Sequence, residues 1–374
     1  MDSEAVRERP SKWMREPGAL ETVAVGLMTM AITVLMVNAL GGFWERYPNF
    51  GDNGLYIAIA DQIAVADIAG LEPKHLWGYP YAGAALSVVT GLGADVTLLA
   101  VCWVSAIVAL LLTRRLWGGW VACFFAVTSV EWIQQSTMGS AQSLAIALTF
   151  GSFVAARRDR WPLAALFAAL ATVVRPEGAL ALIALGIVLA WRREIRTLAV
   201  CVAIGVLVGA AYAAPMYAAF GDPFVNYHTY ERQDFAGFII SWPFAALVTT
   251  AVTSVAPITH KAMVAFWIAV VFLGAIAMVV SPYFRQHARR HPYEVVYVAL
   301  VITFYVMYNS EHAFHQFARF TLSVVPLCYF ALSPWLPKDR RIVWTAGILT
   351  SVFAGASAMN VRRSLALLSR LLGR

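Results

Sequence analysis

The feature that most constrains this chain is a run of apolar residues of full bilayer length, Ala19 to Leu40, followed by one similar run after another almost to the C-terminus. About 20 apolar residues in a row match the thickness of a membrane core. Inside that core the backbone must satisfy its own hydrogen bonds, so only helices and closed barrels can cross. A barrel needs short segments that alternate apolar and polar residues, and that alternation is absent here. The composition agrees: 60% of the 374 residues are hydrophobic and 13% are charged, where a soluble chain carries about 25% charged residues. The expected fold is therefore an all-α polytopic membrane protein with about eleven transmembrane helices (ten to twelve).

The expected spans are 19–41, 95–113, 117–133, 139–156, 162–175, 178–191, 198–219, 262–283, 293–309, 318–335 and 342–358. Two of them, 162–175 and 178–191, are short and joined by "RPEG", which reads as a hairpin whose tip is sunk into the protein. Segments 54–70 and 78–93 are shorter still and bounded by Gly, Pro or Asp, which suits interfacial helices. The N-terminal region, polar and acid-containing before a full-length apolar run, reads as a retained signal anchor. The division expected is a cytoplasmic tail at 1–18, a membrane domain at 19–358 with outer loops at about 42–94 and 220–260, and a basic amphipathic tail at 359–374.

Charge fixes the orientation. With both short segments kept outside, clusters such as Arg114–Arg115, Arg157–Arg158–Arg160 and Arg192–Arg193–Arg196 gather on one side. That side holds eighteen of the 28 Lys and Arg residues. The positive-inside rule places it, with the N-terminus, in the cytoplasm, and the chain in a cell (inner) membrane. The net charge of +7 is then a topology signal, and nucleic acid is not a partner. The same scheme needs 240–257 to be re-entrant or interfacial. The four cysteines, Cys102, Cys123, Cys201 and Cys328, all fall in apolar runs without metal-ligand spacing and read as small core residues.

Twelve of the 21 acids lie on the outer side. In "NFGDNGLYIAIADQIA" (49–64), Asp52 opens a helix and can cap it, or act chemically; Tyr56 lies one turn on, on the same face. In "VVRPEG", Arg175 sits at a depth where a charge is costly and usually functional, the plainer alternatives being a local pair with Glu177 or a side chain reaching the headgroups. In "EHAFHQFARF", Glu311, His315 and Arg319 fall on one helical face. Arg319 suits a two-pronged hold on a phosphate. His312 and His315 hint at a metal, but no third ligand is apparent, so no cofactor is expected. Glu131, at the outer end of its span, is read as facing a cavity, as a ligand contact or an arginine's partner.

Taken in order, "GDNGLYIAIADQIA", "LWGYPYAGAALSVVTGLG", "VVRPEG", "FGDPF" and "ARFTLSVVPL" resemble the GT-C superfamily of integral-membrane glycosyltransferases. The bacterial and archaeal members similar to protein mannosyltransferases and aminoarabinose transferases are the nearest in pattern. The resemblance covers about 15–335. It implies a polyprenyl-phosphate sugar donor, with Asp52 as the base and Arg319 as the residue that binds the lipid phosphate. Three positions depart from the pattern. Asn53 stands where a second acid is usual, Phe320 where the tyrosine follows the arginine, and Gln142 where relatives often carry an acid.

The chemistry fits these residues. A sugar leaving with a lipid phosphate needs no general acid, only a carboxylate to take the acceptor's proton and fixed cations for the departing phosphate. Asp52 supplies the first and Arg319 with Arg175 the second, while Tyr56, Glu131 and His315 complete the expected donor site. One carboxylate base implies inversion at the sugar carbon. Trp77, Tyr79, Tyr81, Tyr227 and Trp242 are available to stack on a sugar or to line the bilayer interface. The expected function is transfer of a sugar to a lipid, glycan or protein hydroxyl at the outer face. A transporter or flippase of a lipid-linked sugar, and a non-catalytic homologue, are the rival readings.

Overall fold

The computed structural model describes residues 15–67, 73–234, 239–254, 258–310 and 312–359. Glu311, Glu72 and the tails at 1–14 and 360–374 lie outside the described residues. The regular structure of the described residues is helical, with one isolated antiparallel bridge between Ile240 and Tyr308.

α1 (Ala19–Gly41) leads into a short outer layer: α2 (Phe43–Arg46), a 3-10 turn at Tyr47–Asn49, α3 (Asn53–Ala64) and α4 (Gly78–Thr90). The helices α5 (Ala94–Trp117), α6 (Gly119–Thr128), α7 (Val130–Thr137), α8 (Ala141–Ala156), α9 (Trp161–Val174), α10 (Gly178–Trp191) and α11 (Ile195–Phe220) follow. A second outer layer holds α12 (Val225–Asp234) and α13 (Ala245–Thr253). The chain then returns through α14 (Ile258–Val280), α15 (Pro282–Arg290), α16 (Pro292–Met307), α17 (Ala313–Phe320), α18 (Val325–Leu332) and α19 (Arg340–Ala358).

Five described helices are long and apolar enough to cross a membrane: α1, α5, α11, residues 261–280 of α14, and α19. α7 and α8 form a pair bent by 105° and add a sixth only if taken as one span. The other expected spans are present as shorter or broken helices, for identifiable local reasons. Ser129 leaves the helical conformation and its hydroxyl accepts from the Trp132 amide, restarting the chain as α7. Ser140 does the same for α8 by accepting from Gln142. Thr321–Val324 interrupts the expected span at 318–335 between α17 and α18. α13 is nine residues long and reaches about 13 Å, less than half a bilayer core.

The "RPEG" tip follows from its sequence. Arg175 precedes Pro176 and is forced to extended backbone (φ −149°, ψ 141°), which ends α9. Gly178 then lets α10 start against the main chain of Ala171 and Thr172, where a Cβ has no room. Gly78 meets the Val173 main chain in the same way, so α4 lies directly on the end of α9.

The two ends of the bundle differ in chemistry. At the basic end, Glu294 is buried and accepts from Arg157 Nε (2.5 Å), Arg157 Nη2 (2.8 Å) and Trp117 Nε1 (2.9 Å), and contacts His287 Nε2 (3.0 Å). Nearby, Arg340 pairs with Glu21 at 2.9 Å and Arg114 donates to the Pro17 carbonyl at 3.2 Å. The opposite end carries α2–α4, α12, α13 and the cavity described next. The four cysteines are unpaired and buried.

Candidate active site

Asp52 occupies the first, non-helical position of α3, yet its side chain caps nothing. The carboxylate points across a cavity. Its Oδ2 lies 3.4 Å from Arg319 Nη2 and its Oδ1 3.5 Å from His75 Nε2. The capping role open to Asp52 in sequence is therefore not the one it fills. Burial disfavours its charge. The His75 hydrogen bond and the Arg319 and Arg175 guanidinium charges outweigh that penalty and hold the carboxyl well below the usual carboxylate range.

The cavity holds about 220 Å³ and is lined by Asp52, Lys74, His75, Arg175, Arg319 and Phe320, with Tyr308, Ser310, His312 and Gln316 at its side. Three of these, Asp52, Arg175 and Arg319, were expected from sequence. Arg175 pairs with Glu177 at 3.0 Å and still lines the cavity, so the local pair and the cavity position hold together. Its guanidinium lies 5.6 Å from the centre of the Phe320 ring, a cation–π distance. Tyr305 stacks on the other partner, Phe320, at 4.8 Å. Arg319 has a buried Nε without a hydrogen-bond partner.

Tyr56 is buried beside this group, edge-on to His75 (5.7 Å) and Tyr79 (5.5 Å), with Arg175 in hydrogen-bond reach of its hydroxyl. Burial pushes its hydroxyl pKa up, so it stays a donor. Glu131 and His315 sit elsewhere. They meet at a separate cavity of about 80 Å³ with Trp267, Met263 and Ala318. There Gln135 donates to Glu131 (2.8 Å), and Ser254 Oγ contacts His315 Nε2 (2.8 Å). The i, i+4 spacing put His315 and Arg319 on one face, but α17 is wedged between two cavities, one taking Arg319 with Gln316 and Phe320 and the other His315 with Ala318.

The departures at Asn53 and Gln142 have structural explanations. Asn53 is buried and its Nδ2 donates to the Tyr47 carbonyl (2.9 Å) and the Met138 carbonyl. It ties α3 to the α7–α8 bend, a job for an amide donor that a carboxylate cannot do. Gln142 Nε2 donates to the Arg319 carbonyl at 3.1 Å and fixes the C-terminal turn of α17.

Lys74 and His75 line the cavity although nothing in the sequence singled them out. They are presented by a clamp from the second outer layer. Asn226, buried at the start of α12, donates from Nδ2 to the His75 carbonyl (2.9 Å) and the Pro73 carbonyl (2.5 Å). Its Oδ1 accepts from Tyr212 (2.9 Å), which in turn accepts from the Trp77 amide (3.1 Å). The available signal was a Lys–His pair after Pro73 in an outer loop otherwise poor in bases. Of the aromatic candidates, Trp77 and Tyr79 are fully buried, and Tyr79 donates to the Leu98 carbonyl at 2.7 Å. Trp242 and Tyr227 are exposed. Among the described residues no group of three or more His, Cys, Asp or Glu side chains is placed to hold a metal ion.

No family model matches the sequence, and no curated protein matches it. Solved structures do. The crystal structure of ArnT from Cupriavidus metallidurans bound to undecaprenyl phosphate aligns over 94% of this chain with a TM-score of 0.52 and 15% identity. This chain has a fold similar to that of ArnT. It is an all-helical integral membrane protein. It spans 63% of the ArnT chain's length. The apo structure of ArnT aligns with a TM-score of 0.49 and 16% identity over 95% of this chain and 62% of that one.

Proposed function

We propose that this chain is a membrane glycosyltransferase that moves a sugar from a polyprenyl-phosphate donor to a hydroxyl of a lipid, glycan or protein acceptor. The observation that carries the reading is a carboxylate, Asp52, facing Arg319, Arg175 and Lys74 across one cavity. The solved structure of similar fold contains undecaprenyl phosphate, a ligand of the class these cations suit.

In the proposed reaction the donor phosphate sits between Arg319 and Arg175, with Lys74 beside it. The unpartnered Nε of Arg319 is a buried donor that a phosphate oxygen would satisfy. The acceptor oxygen attacks the sugar carbon, its proton passes to Asp52, and the carbon–oxygen bond to the phosphate breaks. The phosphate leaves with a further negative charge, which the fixed cations stabilise. A base held at so low a pKa is weak. Donor binding corrects this, because a phosphate that engages Arg319 and Arg175 withdraws the charges that depress Asp52. The base is thus strengthened when the donor is in place. His75 orients the carboxylate.

One carboxylate, Asp52, among the described residues that line the cavity favours an inverting displacement. The outer face is the side of reaction in this proposal, because the cavity lies at the end of the bundle opposite the arginine clusters. The cytoplasmic N-terminus belongs to the same topology. The test is a transfer assay with the purified chain against a panel of polyprenyl-phosphate sugars and hydroxyl acceptors. The expected result is transfer from at least one donor with inverted anomeric configuration. Binding of donors without transfer to any acceptor in the panel would leave the non-catalytic reading standing instead.

A further inference from the structure

At the basic end of the bundle, away from the candidate active site, a groove of about 390 Å³ runs between α5, α8 and α9. Its walls are almost wholly apolar, formed by residues such as Val104, Val108, Leu144, Leu148 and Phe167. Val104 (64%) and Val108 (41%) are exposed on helices of a membrane domain, so the groove opens toward lipid. Its basic end is closed by Arg158 and Arg160. Both arginines are exposed. Their neighbours are otherwise engaged: Arg157 is tied to Glu294, and Asp159 lines a different cavity with Arg192 and Arg290. Among the described residues that line the groove there is no acid.

We propose that this groove binds an anionic diacyl phospholipid of the leaflet at the basic end, with the phosphate between Arg158 and Arg160 and one acyl chain along α8. The dimensions agree. From Leu144 to Ala155, α8 rises about 16 Å, and half of a bilayer core is about 15 Å. The groove is therefore one leaflet deep, with its charge at headgroup level and its apolar walls at chain level. Basic side chains at that level attract anionic lipid, and the two arginines turn a general preference into a seat next to a chain-shaped slot. Gly151 keeps the slot open. A Cβ there would lie 3.4 Å from the Phe167 ring, in ordinary contact, while a longer side chain would fill the groove. The lipid would brace α8 against α9, the helix that carries Arg175 on its far end.

The experiment is native mass spectrometry of the full-length chain released from nanodiscs of phosphatidylglycerol mixed equally with phosphatidylcholine of the same acyl chains. The parent is expected to retain one phosphatidylglycerol in preference to phosphatidylcholine by at least about fivefold, the contribution of one basic residue near the surface. Arg158→Gln with Arg160→Gln is expected to abolish the preference, and Arg158→Lys with Arg160→Lys to keep most of it. Gly151→Leu is expected to lose the retained lipid although both arginines remain. Glycerol 3-phosphate, which carries the charge without the chains, is expected to displace nothing. Equal retention of the two lipids by the parent overturns the proposal. So does a preference that survives the double Gln substitution, or displacement by glycerol 3-phosphate, which would mark a plain anion site.

Discussion

Asp52→Asn separates chemistry from structure because the side chain caps no helix. The amide keeps the size and removes the proton acceptor. Turnover is expected to fall at least about a hundredfold, with expression and donor binding retained, as measured by single-turnover transfer. Its folded-state pKa is depressed, so the stability it contributes is present above about pH 4 and is lost as pH falls further. The Asn variant should therefore be the less stable protein above that range, and the gap between the two proteins should narrow in acid. Arg319→Lys tests the grip on phosphate. Lysine keeps the charge but not the fork of donors that includes Nε. Donor affinity is expected to fall about tenfold or more, and near-parental affinity would take Arg319 out of the donor site.

At the scale of elements, the cavity is built by the meeting of two outer layers. The loop bearing Lys74 and His75 has no regular structure and owes its position to Asn226 on α12. Asn226→Ala strips that loop of two hydrogen bonds, one of them to the carbonyl of buried His75. This is expected to cost about 1–3 kcal/mol of stability. Displacing His75 from Asp52 is expected to lower turnover by about tenfold to a hundredfold. Thermal unfolding and initial rates measured together check this. A lowered midpoint with unchanged turnover would make the clamp purely structural.

At the scale of the whole molecule, the arginine clusters and the Asp52 cavity occupy opposite ends of the bundle. Native cysteines are buried, so an impermeant thiol reagent on sealed cells should report only introduced probes. A probe at exposed Asp61 is expected to be labelled from outside and one at exposed Asp159 is not. The opposite pattern reverses the orientation and moves the proposed reaction to the other face.

Helicity and membrane insertion were written in the apolar runs, because a chain without water to bond its backbone has few alternatives. The ends of "VVRPEG" were equally legible, since proline restricts its predecessor wherever it stands. Asp52, Arg175 and Arg319 were found because charges in apolar surroundings are conspicuous. The sequence could not pair them: they are more than a hundred residues apart, and only packing brings the starts and ends of α3, α9 and α17 to one cavity. Nor could it separate His315 from Arg319, because helical spacing gives a face and not what lies against it. Lys74 and His75 were invisible for a related reason. Their loop carries no pattern of its own, and its position is decided by an asparagine about 150 residues away.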